Sequence, residues 1–189
     1  MSITIEPTQV TRYDRTDAEL QAFWIFCIVV AGKNSDYAAR VVGNLLGRSE
    51  NPFEYFKELG EIGIRNALVA NKTGQYDRIS KAIYQSLSLD LRECSFHDLK
   101  SIFGVGPKTA NFFLLHSRPN YSGVVLDTHI LRFLRDHAVG GTPKTTPQDP
   151  ELYDSLSERF LQISKALYPK LSPADRDLII WTQYSGRTS

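Results

Sequence analysis

The chain has 189 residues, of which 42% are hydrophobic and 23% charged, as in a globular protein with its own core. Its formal net charge of +1 neither indicates nor excludes a nucleic-acid partner, because positive charge can gather on one face. Two cysteines are too few for a disulfide framework or a four-cysteine metal site and favour a reducing, cytoplasmic setting. The longest apolar run, residues 23–31, is too short to cross a bilayer, and no secretion signal is evident.

Apolar residues recur at intervals of three and four along most of the chain, which predicts an all-α protein. Ser35 is the predicted N-cap of the second helix, and Gly186 is predicted to end the last one. Pro52 suits the first turn of a helix that it opens. Besides the helix that Pro52 opens, the predicted helices cover residues 17–31, 36–46, 62–69, 76–87, 96–103, 107–116, 128–137, 150–167 and 173 onward.

The most informative segment is residues 99–110, in which Gly104 and Gly106 flank Val105 between two predicted helices. Glycine adopts backbone angles that other residues resist, and Val105 can plug the turn into the core. Pro107 suits the first turn of the second helix, whose free amides form a seat for a phosphate. A lone Gly-x-Gly is also explained by a tight helix–helix turn, but the longer string is more specific.

The second informative segment is residues 124–132, in which Asp127 follows three apolar residues and precedes a helix. Interpreted alone, Asp127 is an N-cap that accepts amide hydrogen bonds and remains ionised at neutral pH. Lys108, in the first turn of the helix after the glycines, is by itself an ordinary surface lysine. Asp127 follows Lys108 by 19 residues.

Together these segments resemble the helix-hairpin-helix DNA glycosylase superfamily, which includes endonuclease III and the 8-oxoguanine glycosylases. Strand-cleaving members carry a nucleophilic lysine where Lys108 stands, and Asp127 matches the essential aspartate of their Val/Leu-Asp-Thr/Val-His string. The resemblance is closest over residues 99–133. It implies two helical lobes with the active-site cleft between them: a helical barrel lobe with the hairpin over residues 22–120, and a second lobe from residues 1–21 and 121–189.

The resemblance also implies which residues bind DNA. In the hairpin and its second helix these are Gly104, Val105, Gly106 and Thr109, which grip the backbone without reading its sequence. Asn34, or else Lys33, matches the side chain that fills the gap left by a flipped base, although a helix break with a cap explains this loop equally well. His129 either orients the start of its helix or acts directly.

The implied reaction is that of a bifunctional DNA glycosylase and AP lyase in base excision repair. A base buried in the duplex must be flipped out before it is removed. Asp127 then stabilises positive charge on the sugar, while Lys108 attacks C1′ and forms a Schiff base that permits β-elimination. The expected partner is double-stranded DNA with a damaged base. We expect a monomer with no membrane contact, no metal and no cofactor.

Two departures from the family bear on the substrate. Endonuclease III carries a four-cysteine iron–sulfur loop, for which this chain lacks the cysteines. The segment from Asp177 to Gly186 is most similar to the small prokaryotic 8-oxoguanine glycosylases, which favours 8-oxoguanine as the damaged base. Those enzymes often end in a lysine-containing tail, whereas this chain ends Arg187-Thr188-Ser189.

Three questions remain open at the level of sequence. The base can instead be an oxidised pyrimidine or another modified base. The protein can instead be a non-catalytic helix-hairpin-helix module, although a phosphate grip does not need the Asp127-Thr128-His129 string. The third question concerns pocket residues. His116 is either a pocket residue or a helix end, and four aromatic residues can stack on a base, although most aromatics at helical spacing are core. The four are Trp24, Phe112, Phe113 and Trp181.

Overall fold

The computed structural model describes residues 4–47 and 49–186, and these residues form nine α-helices and no strand. The predicted all-α class is confirmed. The tail at residues 187–189, on which one departure from the family rests, lies outside the described residues. The helices are α1 (Asp17–Val29), α2 (Ser35–Leu46), α3 (Pro52–Ala70), α4 (Tyr76–Ser86), α5 (Phe96–Ser101), α6 (Pro107–Ser117), α7 (Thr128–Asp136), α8 (Pro150–Leu167) and α9 (Pro173–Tyr184).

The N-cap of α2 differs from the sequence prediction. Asn34 caps the helix, since its Oδ1 accepts hydrogen bonds from the amides of Asp36 and Tyr37, each at 3.0 Å. The prediction that Ser35 is the cap was wrong, because Ser35 is the first helical residue. Asparagine and serine are equally good caps, so composition alone does not choose between neighbours.

Two further helix boundaries differ for local reasons. The chain from Pro52 to Ala70 is assigned as one helix, but Gly60 lies inside it at φ 64° and ψ 173°, so a kink separates two helical stretches. Helix α5 ends at Ser101 rather than at 103, because Ile102 is already extended at φ −72° and ψ 134°. The hairpin therefore begins two residues earlier than predicted.

Helix α1 lies at the centre of a first apolar cluster. The four consecutive residues Phe23 to Phe26, which point to different sides of this helix, are all at most 1% exposed, and α1 packs against α2, α3, α4 and α6. A helix that is apolar all round is stable only when other helices cover every side. Among these side chains, the indole N–H of Trp24 donates to Ser86 Oγ at 2.8 Å.

A second apolar cluster is formed by α7, α8 and α9, with Ile130, Phe160 and Ile180 each at most 2% exposed. A small third group, made of Leu115, Val125 and Ala174, links α6 to α9. The division into lobes at residues 21 and 121 stays a prediction. Val10 and Leu20, which that division assigns to the second lobe, are members of the first cluster.

Candidate active site

A cavity of about 1060 Å³ is lined by the end of α1, the turn before α6, α6 itself, the start of α7 and α9. It brings together eight of the nine residues predicted for the site. These are Lys33, Asn34, Gly104, Gly106, Lys108, Thr109, Asp127 and His129. The ninth, Val105, is not among the lining residues: it is 6% exposed and packs in the first cluster.

The hairpin, residues 102–106, is held in shape by Arg78 of α4. Gly104 adopts φ 73°, and the Arg78 guanidinium donates to its carbonyl oxygen at 3.2 Å and to that of Ile28 at 3.1 Å. A Cβ on Gly104 would lie 2.5 Å from Arg78 Cγ, so only glycine fits both the backbone angle and the contact. Arg78 therefore links the hairpin to the end of α1.

Helix α6 begins at the mouth of this cavity. Gly106 is its N-cap with extended backbone, Pro107 is its first residue, and no described side chain caps its amides. An uncapped helix start carries free N–H groups and the positive end of the helix dipole, which together suit a phosphate. Lys108 follows at once, half-buried and lining the cavity.

Asp127 faces the same cavity from the start of α7. Its Oδ1 accepts hydrogen bonds from the amides of His129 at 2.8 Å and Ile130 at 2.9 Å, so the predicted N-cap is confirmed. These two bonds fix the side-chain rotamer of Asp127. A cationic centre in the cavity would therefore meet a carboxylate that is already oriented.

His129 joins the start of α7 to the end of α9. Its Nδ1 lies 3.1 Å from the carbonyl oxygen of Tyr184, and a carbonyl only accepts, so Nδ1 carries the proton. The ring also packs edge-to-face against Trp181, with 6.0 Å between centroids. Nε2 is the nitrogen left for a ligand in the cavity.

The geometry has counterparts among solved structures. The 8-oxoguanine glycosylase/lyase of Methanocaldococcus jannaschii, in complex with a 15mer DNA containing 8-oxoguanine, superposes with a TM-score of 0.73 at 20% identity, over 93% of this chain and 85% of that one. The 8-oxoguanine DNA glycosylase of Thermotoga maritima also gives 0.73, at 19% identity, over 96% of this chain and 88% of that one. No family model and no curated protein matches.

The chain has the fold of these 8-oxoguanine DNA glycosylases. This glycosylase fold covers nearly the whole chain, which extends the similarity well beyond the hairpin and the Asp127 string. At this level of identity the agreement is one of architecture. Similarity of fold does not assign roles to individual residues, which depend on their own contacts.

Within the glycosylase fold, the loop between α1 and α2 presents two different side chains to the cavity. Asn34 is engaged as the cap of α2 through its Oδ1. Lys33 Nζ is buried and has no hydrogen-bond partner among the described residues, and burial, then the charge of Arg78, lowers its pKa. Lys33 is thus the side chain of this loop whose polar group is uncommitted, and the assignment of a gap-filling residue stays a prediction.

The four aromatic candidates fall into two pairs. Trp24 and Phe113 are fully buried in the first cluster and pack edge-to-face with centroids 5.1 Å apart, so they are core residues. Phe112 and Trp181 are partly exposed and line the cavity from α6 and α9. Of the four, the second pair is the one placed to contact a ligand in the cavity.

Sequence reasoning missed one acidic residue of the site and left one histidine undecided. Asp177 of α9 is 4% exposed and lines the cavity, and His116 of α6 is fully buried against it. A signal was present, because Asp177 and Trp181 are four residues apart and so share one helix face. The sequence does not show that this face turns towards α6.

Neither a metal site nor a membrane span is found in the described part of the chain. Over residues 4–47 and 49–186, no group of three or more His, Cys, Asp or Glu side chains is arranged to hold a metal ion. No described helix is both long enough and apolar enough to cross a membrane.

Proposed function

We propose that the protein is a DNA glycosylase with AP lyase activity, which removes an oxidised base and then cleaves the strand in base excision repair. One observation carries the proposal: Lys108 and Asp127, on different helices, face one cavity beside a hairpin that is suited to a phosphate. A non-catalytic phosphate grip needs the hairpin alone and gives no reason for an amine and an oriented carboxylate to share a cavity.

The chemistry follows from these two side chains. As the bond between C1′ and the base lengthens, positive charge develops on the sugar, and the Asp127 carboxylate stabilises it. The neutral amine of Lys108 forms a bond to C1′ while the base leaves with the bonding electrons, and Asp127 takes the proton that the amine loses. The sugar ring then opens: the C1′–O4′ bond breaks, O4′ takes the proton held by Asp127, and C1′ stays joined to Lys108 as a Schiff base. The Schiff base acidifies the 2′ hydrogen, which is lost as a proton, and in the β-elimination that follows the 3′ phosphate leaves with the electrons of the C3′–O3′ bond.

The same geometry suggests how a duplex is held. The start of α6 and the hairpin take a phosphate of the damaged strand, and Lys33 adds to the same cavity an amine with no partner among the described residues. The proposed partner is double-stranded DNA, bound by a monomer without metal or organic cofactor. In a prokaryote this reaction takes place in the cytoplasm, on the nucleoid.

We propose 8-oxoguanine as the damaged base. The support is the fold, because both organisms' enzymes with this architecture are described as 8-oxoguanine glycosylases, one of them bound to DNA that contains the lesion. The cavity lining also includes two aromatic side chains, Phe112 and Trp181, and an aromatic ring is a surface on which a planar base stacks. An oxidised pyrimidine is the alternative that the experiment below must separate.

The test is borohydride trapping on a duplex with 8-oxoguanine opposite cytosine, with Lys108→Gln beside the wild type. Lys165→Gln, on α8 and outside the residues that line the cavity, is the matched loss of one lysine charge. We expect a covalent adduct with the wild type and Lys165→Gln, and none with Lys108→Gln. An adduct that forms only on an oxidised-pyrimidine duplex would show that the substrate is an oxidised pyrimidine and not 8-oxoguanine. Binding of DNA without an adduct on any duplex would refute the proposed enzymatic activity.

A further inference from the structure

Three polar side chains from distant parts of the chain form a hydrogen-bonded row at the cavity. Thr11 Oγ1 lies 2.8 Å from His116 Nδ1, and His116 Nε2 lies 3.3 Å from Asp177 Oδ2. The N-terminal segment, α6 and α9 each supply one member. His116 and Asp177 both line the cavity, and both are almost fully buried.

The partners of His116 decide which of its nitrogens carries the proton. The carboxylate of Asp177 only accepts, so Nε2–H of His116 donates to it. Asp177 thus selects this tautomer, and in the neutral ring Nδ1 accepts from the hydroxyl of Thr11. The backbone of His116 is also bonded to the N-terminal segment, because its carbonyl oxygen accepts from the Arg15 guanidinium at 2.9 Å and from the Arg12 amide at 3.1 Å.

Asp177 uses only one of its two oxygens. Oδ1 is buried and has no hydrogen-bond partner among the described residues, although the residue lines the cavity. A buried acceptor without a donor is costly, and a ligand that brings an N–H to this point removes the cost. The site is therefore built to receive a donor.

Burial and the groups around Asp177 shift the pKa of its carboxyl in opposite directions. Burial raises the pKa of its carboxyl, the hydrogen bond from His116 lowers it, Asp127 raises it and Lys108 lowers it. The hydroxyl of Tyr153 also interacts electrostatically with this carboxyl. His116 is thus the main group that favours the ionised form, which has no proton to obstruct an incoming donor.

We propose that His116 is a positioning residue for base selection, which holds Asp177 so that its free Oδ1 accepts an N–H of the flipped base. The inference rests on the proposed function and deepens it by naming the edge of the base that is recognised. A guanine-type edge offers N1–H and a 2-amino group side by side, both donors. An adenine-type edge turns the lone pair of N1 towards the carboxylate and is repelled.

The experiment compares two reactions of each variant under single turnover: base release from an 8-oxoguanine duplex, and cleavage of the same duplex with an abasic site, which has no base edge. His116→Phe keeps a ring but removes both nitrogens. We expect the ratio of base release to abasic cleavage to fall by about 10-fold to 100-fold, the effect of losing a hydrogen bond to a charged group. The preference for 8-oxoguanine over 8-oxoadenine falls with it.

A milder pair of variants covers the case in which His116→Phe does not fold. Thr11→Val removes the hydroxyl that donates to Nδ1 of His116 and keeps the side-chain shape, whereas Thr8→Val removes a hydroxyl of the same segment that donates to Glu6 instead. We expect the ratio to fall several-fold in Thr11→Val and to match the wild type in Thr8→Val. His116→Gln, whose amide can still donate to Asp177, recovers part of the loss.

The pH profile separates positioning from packing. An ionised Asp177 accepts an N–H more strongly than a protonated one and has no proton of its own in the way, so base release falls as the pH falls through the pKa of Asp177. Without His116 this pKa rises further, so the acid limb of base release moves to higher pH in His116→Phe, whereas the profile of abasic cleavage keeps its position.

Failure of this inference is distinct from failure of the proposed function. Base release and abasic cleavage that fall together in both Thr11→Val and His116→Phe, with an unmoved acid limb, would overturn the role of His116 while the glycosylase stands. A wild-type protein that neither releases the base nor cleaves an abasic site would overturn both.

Discussion

Replacing Asp127 by asparagine separates its two roles, as helix cap and as counter-charge to the sugar. In the structure both hydrogen bonds of the cap, at 2.8 and 2.9 Å, end on one oxygen. An asparagine carbonyl can occupy the same point and accept both amides. The change therefore removes the charge and leaves the cap in place.

The two roles differ enough in size to be told apart. Loss of the interaction between the charge and the helix dipole costs about 0.3–1 kcal/mol of unfolding free energy. Loss of a preorganised group that stabilises transition-state charge costs about 2.7–4 kcal/mol of activation free energy, a factor of about 10²–10³ in rate. Asp127→Ala, which also removes the cap, should lose about 0.5–2 kcal/mol of stability relative to aspartate.

The assay is single-turnover base release, run beside urea unfolding of the same preparations. Asp149→Asn is the matched control, because Asp149 caps α8 through the amide of Glu151 at 3.0 Å and does not line the cavity. We expect both asparagine variants to unfold within about 1 kcal/mol of the wild type, and only Asp127→Asn to lose activity. Base release in Asp127→Asn within about threefold of the wild type would refute electrostatic stabilisation by this carboxylate.

Two further predictions concern the hairpin and the core. Gly104→Ala, at φ 73° and with its Cβ 2.5 Å from Arg78 Cγ, should lower the unfolding free energy by about 1–2 kcal/mol in thermal melts, whereas Gly106→Ala, which has φ −94° and open space, should not; equal losses would contradict this account of the hairpin. Ser86→Ala leaves the buried indole N–H of Trp24 unpaired and should cost about 1–3 kcal/mol in urea unfolding without changing single-turnover base release. An unchanged urea midpoint would show that this bond contributes nothing.

The helices of this protein follow from local sequence, because their signals lie within a few residues of one another. Apolar spacing predicted the all-α class, and the glycines and Pro107 predicted the turn before α6. The same local rules fail where two neighbours are equally suited, as with Asn34 and Ser35 at the start of α2. Boundaries were thus accurate to one or two residues, as expected when several residues compete for one cap.

The pairing of Lys108 with Asp127 was predicted from a resemblance and stays a prediction, and both residues line one cavity. The row of Thr11, His116 and Asp177 had no such source. Its two contacts join residues 105 and 61 positions apart, and only the packing of the N-terminal segment and α9 against α6 brings them together. Sequence by itself determined which helices form and where the hairpin lies, because those depend on near neighbours. The tertiary structure alone decided which buried polar groups meet, because contacts at long separation depend on how the helices pack.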